Sequence, residues 1–288
     1  MDKFYLIDKP IGITSFDVLR KLKKIINIKK MGHTGTLDPL ASGLLLVGVG
    51  NYTKLIPFFE KDIKEYEFKI NLNGNTPSFD IETEIDYISL DKQKYFLKNL
   101  KIGDIEDILN KNFTGKINQL PPKYSALKIN GKKAFDLVRE GIEFELKSRE
   151  VSIYNIEIIS YNYPEIHLKA LVSAGTYIRA IARDLGELLQ TGGYITFLRR
   201  TKIGNLDLSL SQTLDNFLSI NFLKEENIFD KSKFLKLEEN ELFELNNGRV
   251  IKKIDFIGED GIYFVKNERD ITNIIEKEGL IIKPLRKI

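Results

Sequence analysis

The stretch KKMGHTGTLDPLASG, Lys29 to Gly43, sets one histidine and one aspartate among glycines and a proline. A carboxylate can serve as a nucleophile or as a general base. The Asp38-Pro39 pair gives it a stiff mount, because a proline holds the residue before it in extended backbone. Gly32 and Gly35 permit backbone conformations closed to other residues. A rigid, exposed acid between two apolar strands is a workable catalytic design. The plain alternative is a tight turn in which Asp38 only caps backbone amides, the commoner meaning of an isolated Asp-Pro.

Competing chemistries fail on residue types. The chain has no cysteine, which removes disulfides, thiolate nucleophiles and cysteine zinc sites. His33 and His167 are the only histidines and lie far apart, so a histidine-rich metal centre is not expected. No GxxxxGK[ST] phosphate loop is present, and GVGNYTK (Gly48 to Lys54) lacks the third glycine of a dinucleotide fingerprint. His33, Asp38 and Ser42 could form a hydrolase triad only without a G-x-S-x-G elbow and crowded into one loop. No metal and no cofactor are expected.

The elements around this loop follow from periodicity. Phe4 to Ile7 reads as a short buried strand, and Pro10 turns the chain. Thr14 and Asp17 have capping-box spacing. They open a helix whose apolar face is Val18, Leu19, Leu22, Ile25 and Ile26, with Arg20, Lys21, Lys23, Lys24, Lys29 and Lys30 mainly off it. Leu44 to Val49 is a second apolar strand. Over residues 65–72, Tyr66, Phe68, Ile70 and Leu72 alternate with Glu65, Glu67, Lys69 and Asn71, the pattern of a half-buried strand. Leu90 to Asn112 reads as two polar helices. Thr114 to Gly141, with paired prolines, glycines and lysines, reads as a protruding segment. Strands follow at 151–160 and 166–172. Next comes a helix with the stripe Ile178, Ile181, Ala182, Leu185, Leu188 and Leu189, and then the strand ITFLRRTKIG. Past Phe222 a charged, weakly periodic stretch suits a linker. GRVIKKIDFIG, GIYFVKN and GLIIKPL then suggest a small β-rich module. Strands and helices mix without regular βαβ alternation, which predicts an α+β fold.

Hydrophobic residues make up 42% and charged residues 30% of 288, the balance of a globular protein large enough for one large domain plus a small one. No apolar run reaches the ~18 residues of a membrane helix. MDKFYLIDKP does not read as a secretory signal, so a cytoplasmic location is expected. Net charge is only +3, so overall charge names no partner.

DKPIGITSFDVLRKLKK followed by GHTGTLDPLASGLLLVGVG and TKL resembles the opening of the bacterial tRNA pseudouridine synthase B family. The likeness continues in order through KEYEFKINL, QLPPKYSALKINGKKAFDLVREG, SAGTYIRAIARDLGELL and FLRRTKIG, roughly Leu6 to Gly204. It implies the pseudouridine synthase fold: a mixed central sheet with a cleft along its middle, in a catalytic domain over residues 1–222. It also implies an RNA-binding insertion at about 113–149 and a PUA-like RNA-binding domain over 231–288. The implied activity is isomerisation of uridine 55 in the tRNA T loop to pseudouridine, by a stand-alone, monomeric enzyme.

The resemblance implies roles residue by residue. Asp38 matches the catalytic aspartate and Arg179 the arginine that pairs with it, which a bidentate guanidinium would hold and keep ionised. Tyr66 matches the tyrosine that stacks on the target base, and Tyr177 and Leu198 match base-pocket positions. His33 matches a histidine that contacts the RNA where the nucleotide flips out. Lys9 and Pro10 match a motif that shapes the cleft. The family's T-D-T-x-D becomes Thr76, Pro77, Ser78, Phe79 and Asp80, so one acid of a pair is kept. Tyr52 replaces the alanine of A-T-K-L. His167 matches no motif and reads as a surface residue. Guide-RNA-dependent synthases resemble the chain around Asp38, but its insertion and short C-terminal module favour action without a guide. A pure RNA chaperone is disfavoured by intact Asp38, Tyr66 and Arg179.

Overall fold

Alternation over the strand Lys64–Asn71 decides where the core lies: Tyr66, Phe68 and Ile70, with Leu72 just beyond, are all buried on one face of a sheet. The computed structural model of the chain describes residues 2–59, 63–253, 256, 258–268 and 270–288. Among these, one mixed sheet of ten strands forms the main body. Its principal order is Gln212–Thr213, Lys3–Lys9, Ser42–Val49, Tyr194–Ile203, Lys64–Asn71, Glu165–Val172, Arg149–Asn162 and Gly115–Gln119. Lys3–Lys9 pairs parallel with Gln212–Thr213, and Tyr194–Ile203 parallel with Ser42–Val49. The other neighbours along this order are antiparallel.

Helices cover the sheet where apolar side chains require it. Helix Ile178–Leu189 packs beneath the Tyr66 face with helix Ile102–Asn112, whose Ile105 and Leu109 enter the same core. Its stripe is buried except at Leu188, which is exposed. Helix Ser15–Ile26 starts with the expected reciprocal Thr14–Asp17 cap. Val18, Leu19 and Leu22 pack on Tyr5, Ile7, Leu45 and Val47. Ile25, read as part of that face, is exposed instead. Ile26, the next residue, packs against that core in its place.

Strand Ser42–Val49 is buried on both faces. Leu45 and Val47 face the basic helix, while Leu44 and Leu46 share a core with Phe229, Phe264, Ile271 and Ile274 of the C-terminal part. That part is a five-stranded sheet, in the order Phe234–Leu235, Gly261–Lys266, Ile271–Glu278, Ile281–Lys287 and Ile251–Lys252, with helix Glu239–Asn246 against it. The expected β-rich module is therefore present. Of its first run, GRVIKKIDFIG, Ile254, Asp255 and Ile257 lie outside the described residues.

Two readings change. The charged segment after Phe222 is no free linker. Leu223 bridges to Phe4, and Glu225 and Phe229 are buried. The protruding segment is rooted in the sheet, since Gly115–Gln119 pairs with Arg149–Ile153 as an edge strand. The part outside the sheet runs over residues 120–148 and carries the hairpin Lys128–Ile129/Lys132–Lys133 and the helix Ala134–Arg139.

Gly43 fixes the midline of the sheet. It has φ +100°, and a Cβ there would stand 2.2 Å from the Arg200 carbonyl oxygen. Gly43→Ala therefore meets both left-handed strain and backbone overlap. It should cost about 2–5 kcal/mol of unfolding free energy, read from the urea midpoint. A loss under 1 kcal/mol would show that the two strands can part without consequence.

Candidate active site

The Asp38 loop is tied down from both sides. Ser15 Oγ donates to the Leu37 carbonyl at 3.1 Å and accepts from the Leu37 amide at 2.9 Å. The Gly12 amide donates to the Pro39 carbonyl at 2.8 Å, and the Ala41 amide to the Asp38 carbonyl at 3.0 Å. Lys9 is fully buried. Its ammonium donates to the carbonyls of Pro10 (2.9 Å) and Ile13 (2.7 Å) and lies 3.4 Å from that of Pro39. Lys9 thus ties the N-terminal turn to the aspartate loop. Burial lowers the Lys9 pKa to about 8, against the opposing attraction of Asp38. Gly35 and Gly43 take positive φ in this loop, whereas Gly32 does not.

Arg179 is the centre of the site. It lies in the first turn of its helix with its side chain 5% exposed. Nε lies 2.9 Å from Asp38 Oδ2. Nη1 donates to the Ser78 carbonyl at 2.9 Å and lies 3.2 Å from Asp80 Oδ2, while Nη2 donates to the Tyr124 carbonyl at 2.7 Å. The expected two-pronged pairing with Asp38 is replaced by one contact, because the outer nitrogens are engaged by backbone and by Asp80. Asp80 is itself fully buried. Its Oδ1 accepts from Ser78 Oγ at 2.6 Å and the Glu82 amide at 2.9 Å. The turn from Thr76 to Asp80 places Phe79 at φ +63°, so that Ser78 and Asp80 both face the arginine. The acid that survives from the family motif is the one that meets Arg179.

A cleft of about 540 Å³ opens over this group, lined by His33, Asp38, Tyr66, Tyr177, Arg179 and Leu198 among others. The structure thus brings six of the sequence candidates to one cavity. Asp80, Lys9 and Pro10 do not line it. Tyr66 and Leu198 project from adjacent strands, where Leu198 pairs with Phe68. Tyr177 caps the Arg179 helix, and Gln119 clamps its backbone: the Tyr177 amide donates to Gln119 Oε1 at 2.8 Å, and Gln119 Nε2 to the Tyr177 carbonyl at 3.0 Å. Burial pushes the His33 pKa below its ordinary value, and the Arg200 charge acts in the same direction. A hydrogen bond with the Thr34 backbone opposes this in part.

Sequence reading passed over Arg200, which is almost wholly buried and lines the cleft. Nε donates to the Leu44 carbonyl at 2.7 Å and Nη2 to the Gly35 carbonyl at 2.9 Å, while Nη1 lies 3.5 Å from the Tyr66 hydroxyl. An arginine at an inward position of a strand was the available signal. Gln119 carried no such signal. Ser42 faces away, with its Oγ 3.2 Å from Arg199, which is paired to Asp8, so no triad forms. His167 is not a plain surface residue: its Nε2 lies 2.8 Å from Glu67 Oε1 across neighbouring strands.

Asp38 feels opposing influences. Burial at the cleft floor pushes its pKa above the ordinary value, Arg179 pulls it down, and the Asp80 charge pushes it up again; the net direction is upward. A third of its side chain still faces the cleft, so the carboxylate can meet a substrate. The site therefore offers one accessible carboxylate, a fixed guanidinium beside it and an aromatic-walled cavity of nucleotide size. Among the described residues, no three His, Asp or Glu side chains gather as a metal-binding group.

Two solved structures share this fold. A chain of a Cbf5-Nop10-Gar1 complex superposes with TM-score 0.68 at 21% identity, covering 99% of this chain and 84% of that one. A chain of an H/ACA RNP bound to a substrate RNA containing 2′-deoxyuridine gives 0.67 at 19%, with 99% and 84% covered. The fold is that of the pseudouridine synthases. By sequence, residues 23–178 match the TruB family pseudouridylate synthase N-terminal domain, and residues 179–241 match the tRNA pseudouridylate synthase B C-terminal domain. The tRNA pseudouridine synthase B of Clostridium kluyveri is 38% identical over 261 residues, 89% of this chain and 88% of that protein. The Mycoplasma mobile enzyme of the same name is 37% identical over 297 aligned positions, 100% of this chain and 98% of that one. The chain belongs to the TruB family of pseudouridylate synthases.

Arg179→Met should lower the unfolding free energy by about 3–5 kcal/mol, because it strands the buried Asp80 charge. Arg179→Lys should recover most of that stability yet lose roughly 10²-fold in turnover, the scale of one lost preorganised contact. Denaturant titration and a turnover assay read the two effects. Full activity with lysine would mean that charge alone, without the fork, suffices.

Proposed function

We propose that this enzyme isomerises uridine 55 in the T loop of tRNA to pseudouridine, alone and without a cofactor, using Asp38 on a flipped-out nucleotide. The observation that carries the reading is the Asp38 carboxylate on the cleft floor, 2.9 Å from Arg179 Nε. It is an isomerase of the tRNA pseudouridine synthase class, as its relatives are named. Near-complete alignment with such a relative at 37% identity, against 19–21% with the H/ACA chains, favours action without a guide RNA.

The chemistry fits one carboxylate. The C1′–N1 bond breaks, the base turns, C1′–C5 forms, C5 loses a proton and N1 gains one. Oxidation state does not change, so neither a redox cofactor nor an energy source is required. An ionised Asp38 can attack C1′, add at C6 or remove a sugar proton on a glycal route; each needs the same acid beside the same nucleotide. Arg179 would hold it there, Tyr66 would stack on the base, and Tyr177 and Leu198 would wall the pocket. His33 would meet the RNA at the mouth, and Asp80, Lys9 and Pro10 would support the loop. Residues 1–222 would form the catalytic domain with its RNA-binding insertion at about 113–149. Residues 231–288 would form a PUA-like RNA-binding domain of a cytoplasmic, monomeric enzyme. No helix among the described residues is long and apolar enough to cross a membrane.

Extruding the target from a folded loop costs a few kcal/mol, and stacking on Tyr66 would return about 1–3 kcal/mol. Asp38→Asn should abolish pseudouridine in unmodified tRNA, mapped by position, while tRNA binding survives. Tyr66→Leu should slow turnover severely at near-normal affinity, and Tyr66→Phe should recover most of it if the ring face is what matters. Turnover by purified Asp38→Asn, or product at another position, would sink the reading.

A further inference from the structure

Phe16 does not behave as a core aromatic. It stands in the first turn of helix Ser15–Ile26, yet it is 56% exposed, and Ile11 in the preceding turn is 60% exposed. Val18, Leu19 and Leu22 supply the buried face of that helix, so packing does not explain the ring. Cations crowd it instead. The Arg20 guanidinium and the Lys23 ammonium each lie 5.8 Å from its centroid. Lys21 and Lys24 sit on the same helix, whose single acid, Asp17, is taken up by Thr14 and Arg20.

Its place is as telling as its surroundings. Ser15, the residue before it, is bonded both ways to Leu37, next to Asp38. Gly12, the residue after Ile11, is bonded to Pro39. Phe16 and Ile11 are thus each one residue from a bond to the loop that carries the carboxylate, while neither lines the cleft. When a nucleotide leaves a folded loop, its neighbour loses a stacking face. An aromatic ring set in a cationic surface at the rim supplies a new face and, beside it, charges for the phosphates.

We propose that Phe16 is a stacking platform for an unpaired base of the RNA substrate next to the extruded nucleotide. The inference rests on the reading of this cleft as an RNA site.

The chain contains no tryptophan, so Phe16→Trp installs a single tryptophan at the platform, excited selectively on the long-wavelength side of tyrosine absorption. On titration with unmodified tRNA, its emission should be quenched, saturating over the range in which wild type binds by filter retention. Phe16→Trp should keep wild-type affinity, and Phe16→Ala should weaken binding about fivefold or more, the lower end for base–aromatic stacking. The Ala defect should keep its ratio as salt rises, since stacking releases no counterions. Unquenched tryptophan, or wild-type affinity in Phe16→Ala, overturns the proposal and leaves the ring to some partner other than RNA. The readout is binding, so a wild-type protein that bound tRNA but made no pseudouridine would sink the proposed function and leave this test intact.

Discussion

A guanidinium buried among one accessible and one inaccessible carboxylate organises the catalytic end of this protein. A buried cation without compensation costs several kcal/mol, so Arg179 is surrounded by carboxylates and carbonyls. The partners come from distant parts of the chain: the aspartate loop, the turn at Ser78 and Asp80, and Tyr124 at the root of the insertion. The sheet is arranged so that these segments converge above helix Ile178–Leu189. Because two carbonyls and Asp80 hold the fork, only Nε remains for Asp38. The result is an arginine fixed before any substrate arrives, which lowers the reorganisation needed when charge develops.

Much of this was legible in the residues. Alternation from Glu65 to Leu72 gave the core face of the strand that carries Tyr66. Thr14 and Asp17 gave the helix start, while the cleft and the place of Arg179 beside Asp38 followed only from the resemblance to the family. What stayed hidden depends on contacts between segments remote in sequence. No local pattern says that Ser78 and Tyr124 would spend their carbonyls on Arg179, and so the pairing with Asp38 was read as two-pronged. Arg200 was overlooked because a strand arginine ordinarily points to solvent. This one turns inward at the point where Gly43 lets two strands approach closely. Pro77 takes the place of one acid of the family's pair, and the other, Asp80, lies against Arg179.

Tyr52 shows the same limit at the other end of the molecule. As a departure from the family's alanine it had no interpretation in one dimension. In the structure it is buried against Phe4, its hydroxyl donates to Glu225 and accepts from the Ile271 amide. Burial, followed by the bond to Glu225, pushes its pKa up. Glu225 in turn meets Lys266. This buried polar chain joins the central sheet to the C-terminal sheet through the core shared by Leu44, Leu46, Phe229 and Phe264. Strand Ser42–Val49, directly after the aspartate loop, is thus packed on both faces, and the stiffness of that loop draws on both halves of the chain.

The central claim is that Asp38 works as an ionised carboxylate whose pKa is set between Arg179 and Asp80. Its sign can be worked out. The Asp80 charge raises the Asp38 pKa, and an acid loses its charged form as pH falls through its pKa. The wild-type single-turnover rate should therefore fall on the acid side at a higher pH than an ordinary aspartate would give. In Asp80→Asn the repulsion is gone, while the Ser78 and Tyr124 carbonyls still hold Arg179. The measurement is the pH profile of single turnover on bound tRNA for wild type and Asp80→Asn. The account predicts an acid limb displaced to lower pH in the variant, whatever happens to the maximal rate. A limb displaced to higher pH would mean that Arg179 needs Asp80 to stay beside Asp38, and an unmoved limb would mean that Asp38 is not the group being titrated.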